Sequence, residues 1–357
     1  MPGNVAIPIP ERVLLIRPSA LGDVARTVPV LASLRKAWPR ARIDWLVQKG
    51  FEGAVEAHPA LTASGGRVIE FDRKRYGRWT SPGSLAALMV FAKSLRAERY
   101  DVVIDAQGLL RSGLLTRATR ARVRVGFADA REGGWIGYTR RVRVQKPAHT
   151  VDRMLALLPA VGVEPVKDLR LYARPEELAE VDRSLGGSPF AVLAPTSRWP
   201  AKQWPPERYI DVAKALLERG AIERVVIVGG RGEEGQVASL TEWGGAQGGR
   251  VVNLIGHTSV ARLMATVARC GLLIGSDSAA VHMAVGFGRP CVALYGPTDV
   301  AKVGPATGGV TPAAPVIVLQ RVGAGEPLGH KTPEPGRTYM SRITTGDVVD
   351  AACCATR

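Results

Sequence analysis

No run of purely apolar residues in this chain extends beyond Leu85 to Ala92, far short of the roughly 18 to 20 residues that span a bilayer as a helix. The opening, MPGNVAIPIPERVLLIR, has neither a basic start nor a long apolar core, so a secretory signal is not expected. Cysteine is scarce. Cys270, Cys291, Cys353 and Cys354 include no C-x-x-C pair, so no zinc site is indicated. Neighbouring Cys353 and Cys354 are poorly placed to bridge each other, and reduced thiols in a cytosolic protein are the simple reading. No D-x-D triplet occurs, so a metal held between two such carboxylates is not expected either. Acidic residues are outnumbered, 32 against 48 Lys and Arg, for a net charge of +16. What is present is an ordinary globular composition, 46% hydrophobic and 22% charged, which argues against disorder. The 357 residues suffice for two domains, at roughly 150 residues each.

The positive charge is uneven. Residues 1 to 165 hold 27 Lys and Arg against 14 Asp and Glu, and residues 166 to 357 hold 21 against 18. The first half therefore carries most of the field, and its partner should be anionic: nucleic acid, an acidic membrane surface, or a phosphorylated or carboxylated substrate.

Short apolar runs rich in β-branched residues read as buried strands. They fall at 13–17, 43–48, 67–71, 101–106 and 122–127, then at 190–195, 224–230, 251–256, 272–277, 291–296 and 316–320. Helical spacing lies between many of them, over Val24 to Ala37, Ser84 to Glu98, Pro206 to Arg219, Ser259 to Cys270 and Thr345 to Cys354. Such alternation predicts parallel sheets covered on both faces, and eleven runs predict two sheets. Domains are expected at 1–165 and 189–342, joined by a turn-rich linker at 166–188 and closed by a helix at 343–357. Val310 to Pro335, rich in Pro and Gly, reads as a long loop around one strand. In such sheets ligands sit beyond the carboxyl ends of the strands, and with two domains the cleft between them is the expected site.

Four loops after strands carry candidate chemistry. In RPSALGDVART, Arg17 to Thr27, Gly22 permits close backbone approach. Asp23 reads either as a helix N-cap or as a general base. Gly230-Arg-Gly232-Glu-Glu-Gly235 satisfies G-x-G-x-x-G, the dinucleotide fingerprint. Glu233 and Glu234 would repel a pyrophosphate there, so Glu233 suits ribose hydroxyls better, or the stretch is a plain solvated turn. Asp277-Ser278-Ala279-Ala280 opens a helix whose free N–H groups suit an anion, and His282 lies one turn on from Ser278. In PTSRWPAKQWPPERY, Thr196 and Ser197 offer hydroxyl donors and Lys202 can neutralise a diphosphate leaving group.

Taken together, these motifs resemble the ADP-heptose:lipopolysaccharide heptosyltransferases of glycosyltransferase family 9. Ser-Ala-Leu-Gly22-Asp23 looks like that family's S-x-x-G-D. DAQGLLRSG at 105–113 looks like its D-x-Q-G-L-x-K/R-S. The Lys202–Trp204 loop, Gly229 to Glu233, Asp277 to His282 and YGPTD at 295–299 match in order and approximate spacing. The resemblance implies a GT-B fold, an α/β architecture of two Rossmann-like domains with mostly parallel sheets facing a cleft. It implies Asp23 as catalytic base, with Ser19 and Gly22 beside the acceptor. Lys202, Thr196 and Ser197 would hold the diphosphate, Glu233 the ribose and Thr258 the nucleotide. Asp277, Ser278, Ala279 and His282 would hold diphosphate and heptose. It implies an inverting, metal-independent transfer of heptose from ADP-heptose, without a cofactor, to a lipid-linked acceptor of Kdo and lipid A. The enzyme would sit at the cytoplasmic face of the inner membrane, in peripheral contact with it, and no nucleic-acid partner is implied. The acceptor's carboxylates and phosphates agree with the basic first half. Arg73, Lys74, Arg75 and Arg78, interleaved with Tyr76 and Trp79, and further Arg111 and Arg131, are candidate clamps, although any one of them can equally be part of a generic basic face. Two departures stand out. The family's Asp-Thr-Gly before the histidine is Asp277-Ser278-Ala279 here, and Gly323 to Met340 lacks the cysteines many members carry.

Three other readings are open from the residues: a family 9 enzyme with another donor or acceptor, such as the second heptose transfer; a basic module for nucleic acid or membrane; and a nicotinamide-dependent dehydrogenase, which Glu233 and Glu234 disfavour.

Overall fold

Five-residue runs such as FAVLA, LLIGS and CVALY are buried along their whole length, as strands covered on both faces must be. The computed structural model describes residues 7–76, 81–146, 148–220, 222–306, 308–310, 314–329 and 333–356. Among them, β1 (Arg12–Ile16), β2 (Arg42–Gln48), β3 (Val68–Phe71), β4 (Val102–Asp105), β5 (Val123–Phe127) and β6 (Arg140–Val142) form one sheet in the order β3-β2-β1-β4-β5-β6. A second sheet holds β7 (Phe190–Ala194), β8 (Arg224–Ile227), β9 (Val251–Asn253), β10 (Leu272–Ser276), β11 (Cys291–Tyr295) and β12 (Val316–Gln320), in the order β12-β11-β10-β7-β8-β9. Every pairing between them is parallel. Counted from its own first strand, each sheet has the doubly wound order 3-2-1-4-5-6, and its strand order reverses between strands 1 and 4. The chain divides into two units, Met1–Tyr172 and Ala173–Arg357.

The structure corrects the sequence reading in three places. A twelfth strand, β6, was not anticipated: its three residues, Arg-Arg-Val, carry no apolar run. The single helix expected over Val24 to Ala37 is two helices, Leu21–Arg26 and Val28–Ala37, meeting at Thr27. Pro29 has no N–H to continue the first helix, and Val30 N donates to Thr27 O instead, at 2.9 Å. The stretch expected as linker holds a helix, Pro175–Leu185, with Pro at its first position and left-handed Gly186 (φ +65°) ending it. That is the Pro-first, Gly-last asymmetry of ordinary helices.

In the first unit His58 is buried, with the ring of Tyr172, the unit's last residue, edge-on to it at 4.8 Å. Its Nδ1 accepts from Ala60 N at 3.1 Å and so caps a short helix. Burial pushes the imidazole pKa down from its ordinary 6.5 to about 4, because the charged form loses its hydration. The folded protein therefore holds His58 neutral. The associated stability is fully present above pH 6.5 and is lost as pH falls toward 4, by at most about 3 kcal/mol. Between pH 7.5 and pH 4.5 the melting temperature of wild type should fall further than that of His58→Asn, which keeps a capping acceptor and does not titrate in this range. An unchanged difference would remove His58 from the acid response.

Candidate active site

The motifs around Asp23, DAQG, Lys202 and Asp277 follow strands 1 and 4 of their sheets, whereas the glycine-rich loop follows β8 and YGPTD follows β11. In the first unit the motifs lie in the loops after β1 and β4, where ligands collect in doubly wound sheets. Asp23 is the third residue of the Leu21–Arg26 helix, whose N-cap is Ala20. It is thus not the cap; its carboxylate reaches back to accept from Ala20 N at 3.3 Å. Two guanidinium groups hold it: Arg17 Nη2 at 2.8 Å from Oδ2 and Arg26 Nη2 at 2.5 Å from Oδ1. Burial raises the Asp23 pKa, but the charges of Arg17 and Arg26 more than offset it, and the carboxyl lies below its ordinary value. Asp23 is therefore an ionised acceptor throughout the neutral range.

Arg17 is itself placed by the β4 loop, donating through Nη1 to Ala106 O. Gln107 Oε1 accepts from Ser19 N at 3.3 Å, so the DAQG stretch braces the loop that carries Asp23. Asp105 is fully buried and accepts from Gln107 N at 2.8 Å, Gly108 N at 3.1 Å and Tyr138 OH at 2.7 Å. Its burial raises its pKa. Arg17, Arg26 and Gln107 were missed as functional residues. All three lie inside motifs quoted from the sequence, Arg17 and Arg26 in RPSALGDVART and Gln107 in DAQGLLRSG, but none was singled out.

Two depressions open beside these loops. The smaller, about 300 Å³, is lined by Ser19, Gln48, Phe71, Arg73, Gln107, Arg111 and Glu132 among others. The larger, about 770 Å³, is lined by Arg73, Lys74, Arg75 and Arg111 with Ser81, Gly83, Ser84 and Ala87. The structure therefore brings together Ser19, Arg73, Lys74, Arg75 and Arg111. Gly22 stays within the Asp23 helix. Arg131 meets the DAQG stretch through its backbone, N to Gly108 O at 3.0 Å, while its neighbour Glu132 lines the smaller depression. Arg78 and Trp79 lie outside the described residues.

In the second unit the corresponding loops follow β7 and β10. The turn Pro200–Lys202 delivers the Lys202 ammonium to Asp277 Oδ2 at 2.6 Å. Thr298, in YGPTD after β11, donates to the same oxygen at 2.8 Å. Gln320 of β12 fixes that loop, its Nε2 donating to Gly296 O at 2.7 Å and Thr298 O at 2.8 Å. Thr298 lies in the quoted YGPTD motif but was not singled out within it, and nothing local marks Gln320 as its support. Ser278 caps the helix Ala279–Gly286, its Oγ buried and without a hydrogen-bond partner. Ala279 is the first helical residue and has no left-handed backbone, so a glycine is not required there. His282 is buried in the same helix.

Thr196 Oγ1 donates to Glu233 Oε2 at 2.6 Å, and Gly230 N donates to the same oxygen at 2.8 Å. Gly232 N donates to Glu234 Oε1 at 3.1 Å. The two glutamates thus occupy the backbone N–H groups that a dinucleotide loop would offer to a pyrophosphate. The glycine-rich loop is not an anion cradle. Ser197 N donates to Gln236 Oε1 at 3.1 Å, and Gln203 Nε2 bonds the same oxygen at 2.9 Å. Trp204 is a structural anchor, its Nε1 donating to Ile343 O at 3.0 Å. Thr258 lies in the loop after β9, which meets the glycine-rich loop at Gly256 N to Gly229 O, 3.1 Å. No hydrogen bond joins Thr258 itself to the Lys202–Asp277 group among the described residues.

Residues 88–317 match the family model for glycosyltransferase family 9 (heptosyltransferase). The chain is 31% identical over 297 residues to lipopolysaccharide heptosyltransferase 1 of Pseudomonas aeruginosa, covering 81% of this chain and 79% of that protein. It is 28% identical over 299 residues to lipopolysaccharide heptosyltransferase 1 of Escherichia coli K12, covering 82% and 90%. The structure of the E. coli heptosyltransferase WaaC with ADP-2-deoxy-2-fluoro heptose superposes with a TM-score of 0.71 at 26% identity, covering 95% of this chain and 98% of that one.

Proposed function

Starting from the fact that this chain belongs to glycosyltransferase family 9, the heptosyltransferases, we propose that it catalyses the first heptose transfer of the lipopolysaccharide core. It moves heptose from ADP-heptose to a Kdo-bearing lipid A acceptor, with inversion and without a metal. The observation that carries the reading is the Lys202–Asp277–Thr298 group beside the helix start at Ser278. It sets a fixed cation and free N–H donors beyond strands 1 and 4 of the second sheet, as a departing diphosphate requires.

Asp23 takes the proton of an acceptor hydroxyl. The hydroxyl oxygen bonds to the anomeric carbon as the bond to the ADP oxygen breaks on the opposite face. Lys202, the N–H groups at Ser278 and the Ser278 hydroxyl receive the charge that develops on the diphosphate. Glu233, steadied through Oε2 by Thr196 and Gly230, takes ribose hydroxyls at its other oxygen. Arg73, Lys74, Arg75 and Arg111 hold the acceptor's carboxylates and phosphates. The reaction takes place at the cytoplasmic face of the inner membrane. The contact with it is peripheral in this reading; no helix among the described residues is long and apolar enough to cross a membrane.

The test is transfer onto defined acceptors, read by mass spectrometry. One added heptose on Kdo-lipid A supports the proposal. Addition only to an acceptor already carrying the first heptose moves the enzyme to the second transfer, and addition to neither removes the acceptor assignment. In the same assay Lys202→Ala should lower kcat/KM by about 10²- to 10³-fold, because the change also leaves the Asp277 carboxylate facing the diphosphate. A loss below about threefold would take Lys202 out of leaving-group stabilisation.

A further inference from the structure

The helix Pro82–Ala97 is apolar on two sides. Its inward residues Leu88, Phe91 and Leu95 pack into the cluster around Leu14, Leu46 and Phe71, and the Phe91 ring stacks on Tyr76 at 5.1 Å between centroids. Core packing therefore accounts for one side only. On the other, Leu85, Met89 and Val90 are 47, 54 and 67% exposed. A surface helix normally presents charge on the side away from the core. This one has no acidic residue, and its only charges are Lys93 and Arg96 near the end.

The stripe is bracketed by cations. At the helix start, Ser81, Gly83, Ser84 and Ala87 help to line the 770 Å³ depression with Arg73, Lys74, Arg75 and Arg111. At the helix end, Lys93 and Arg96 join Arg99 and Arg120 around a second depression of about 590 Å³, with no acidic residue in its lining. Exposed large apolar side chains between two basic depressions match an anionic bilayer surface: the apolar residues enter the headgroup boundary and the cations meet lipid phosphates.

We propose that Leu85, Met89 and Val90, with Lys93 and Arg96 at one end and Arg73, Lys74 and Arg75 at the other, form the surface by which this protein docks on an anionic lipid bilayer. The inference rests on the reading of the acceptor as lipid-linked. It explains why the larger basic depression opens at the start of this helix: an acceptor embedded in the same bilayer arrives beside it, head group first.

The test separates docking from transfer. Wild type and Leu85→Ser/Met89→Ser/Val90→Ser are sedimented with vesicles of phosphatidylcholine alone and of phosphatidylcholine with phosphatidylglycerol. Both are then assayed on vesicle-embedded acceptor and on a deacylated, water-soluble one. Wild type should bind the anionic vesicles at least about tenfold better than the neutral ones. The triple variant should lose that binding and most transfer to embedded acceptor, while keeping its melting temperature and its transfer to the soluble acceptor. Equal vesicle binding by both proteins would overturn the proposal. So would wild type that ignores vesicles, including the case in which light scattering shows the stripe joining two copies of the chain. Vesicle binding without transfer to either acceptor would instead count against the proposed function and leave the docking surface standing.

Discussion

Replacing Asp23 with asparagine should lower heptose transfer by about 10³-fold, within the 10²- to 10⁴-fold range of general-base catalysis, while ADP binding stays nearly intact. The two effects separate because the residues assigned to ADP lie in the other unit. The substitution keeps the side chain's shape and removes its charge. It also leaves Arg17 and Arg26, each with only 10% of its side chain exposed, without their carboxylate. Breaking a mostly buried pair in this way costs about 3 kcal/mol or more when fully desolvated, and here somewhat less because Asp23 itself is 22% exposed. Asp23→Asn should therefore melt at a lower temperature as well, and the assay belongs at a temperature where the variant is folded. Full activity there would remove Asp23 from the chemistry.

The same clamp makes a prediction about pH. Arg17 and Arg26 hold the Asp23 carboxyl below its ordinary value against the upward pull of burial. The acid limb of kcat/KM that reports this group should thus lie below the usual carboxylate range. Arg26→Leu removes one of the two charges, so burial is less opposed, the pKa rises, and the limb moves to higher pH. A limb that stays in place would show that it reports another group.

Gly113→Ala should destabilise the first unit by several kcal/mol, against the expectation from helix propensity. Gly113 lies within the helix Leu110–Ala118, where alanine normally gains about 1 kcal/mol over glycine. Here a Cβ would come 2.1 Å from Gly134 O. The contact is reciprocal: a Cβ on Gly137 would come 2.0 Å from Gly113 O, and one on Gly134 would come 2.6 Å from Leu109 O. Backbone meets backbone at all three, so no side chain can rotate away, and the segment Arg131–Gly137 must move. That segment carries Glu132 and the helix carries Arg111, both of which line the smaller depression. Damage should therefore reach acceptor KM as well as melting temperature. Gly346→Ala, whose Cβ would meet nothing nearer than 3.8 Å, is the control and should be neutral or stabilising. A Gly113→Ala protein as stable as wild type would show that the two segments separate easily.

Much of this architecture is legible in the residues because fully covered parallel strands must be continuous and apolar. FAVLA, LLIGS and CVALY leave little choice. Arg-Arg-Val of β6 is equally a strand, but it gains its place by pairing with β5 at one end of the sheet order, which no local pattern announces. The sites divide in the same way. Asp23, Lys202, Glu233 and Asp277 stand in loops after strands, where turn chemistry marks them. Their partners come from elsewhere: Lys202 meets Asp277 across 75 positions of the chain, and Arg17 is steered by a carbonyl 89 positions away. Asp23 shows the limit most clearly. Its place at a helix start suggested a cap, whereas its carboxylate is held by Arg17, just after β1, and by Arg26 one helical turn on, and of the two the fold has to steer Arg17.

The shared strand order has a consequence for how the protein comes into being. In each sheet the two strands flanking the reversal, β1 with β4 and β7 with β10, are separated in sequence by two strands and their crossovers. Parallel neighbours of this kind close late, since the intervening chain must be ordered before their pairing is gained. During synthesis the first unit can pair β1, β2 and β3 well before β4 emerges, and the carbonyl that steers Arg17 does not yet exist. Both reactive loops are thus products of the last central pairing in their sheet. A nascent or truncated chain that stops short of it has native-like strands but no assembled chemistry, and catalytic competence should appear as a late step of refolding rather than growing in proportion to secondary structure.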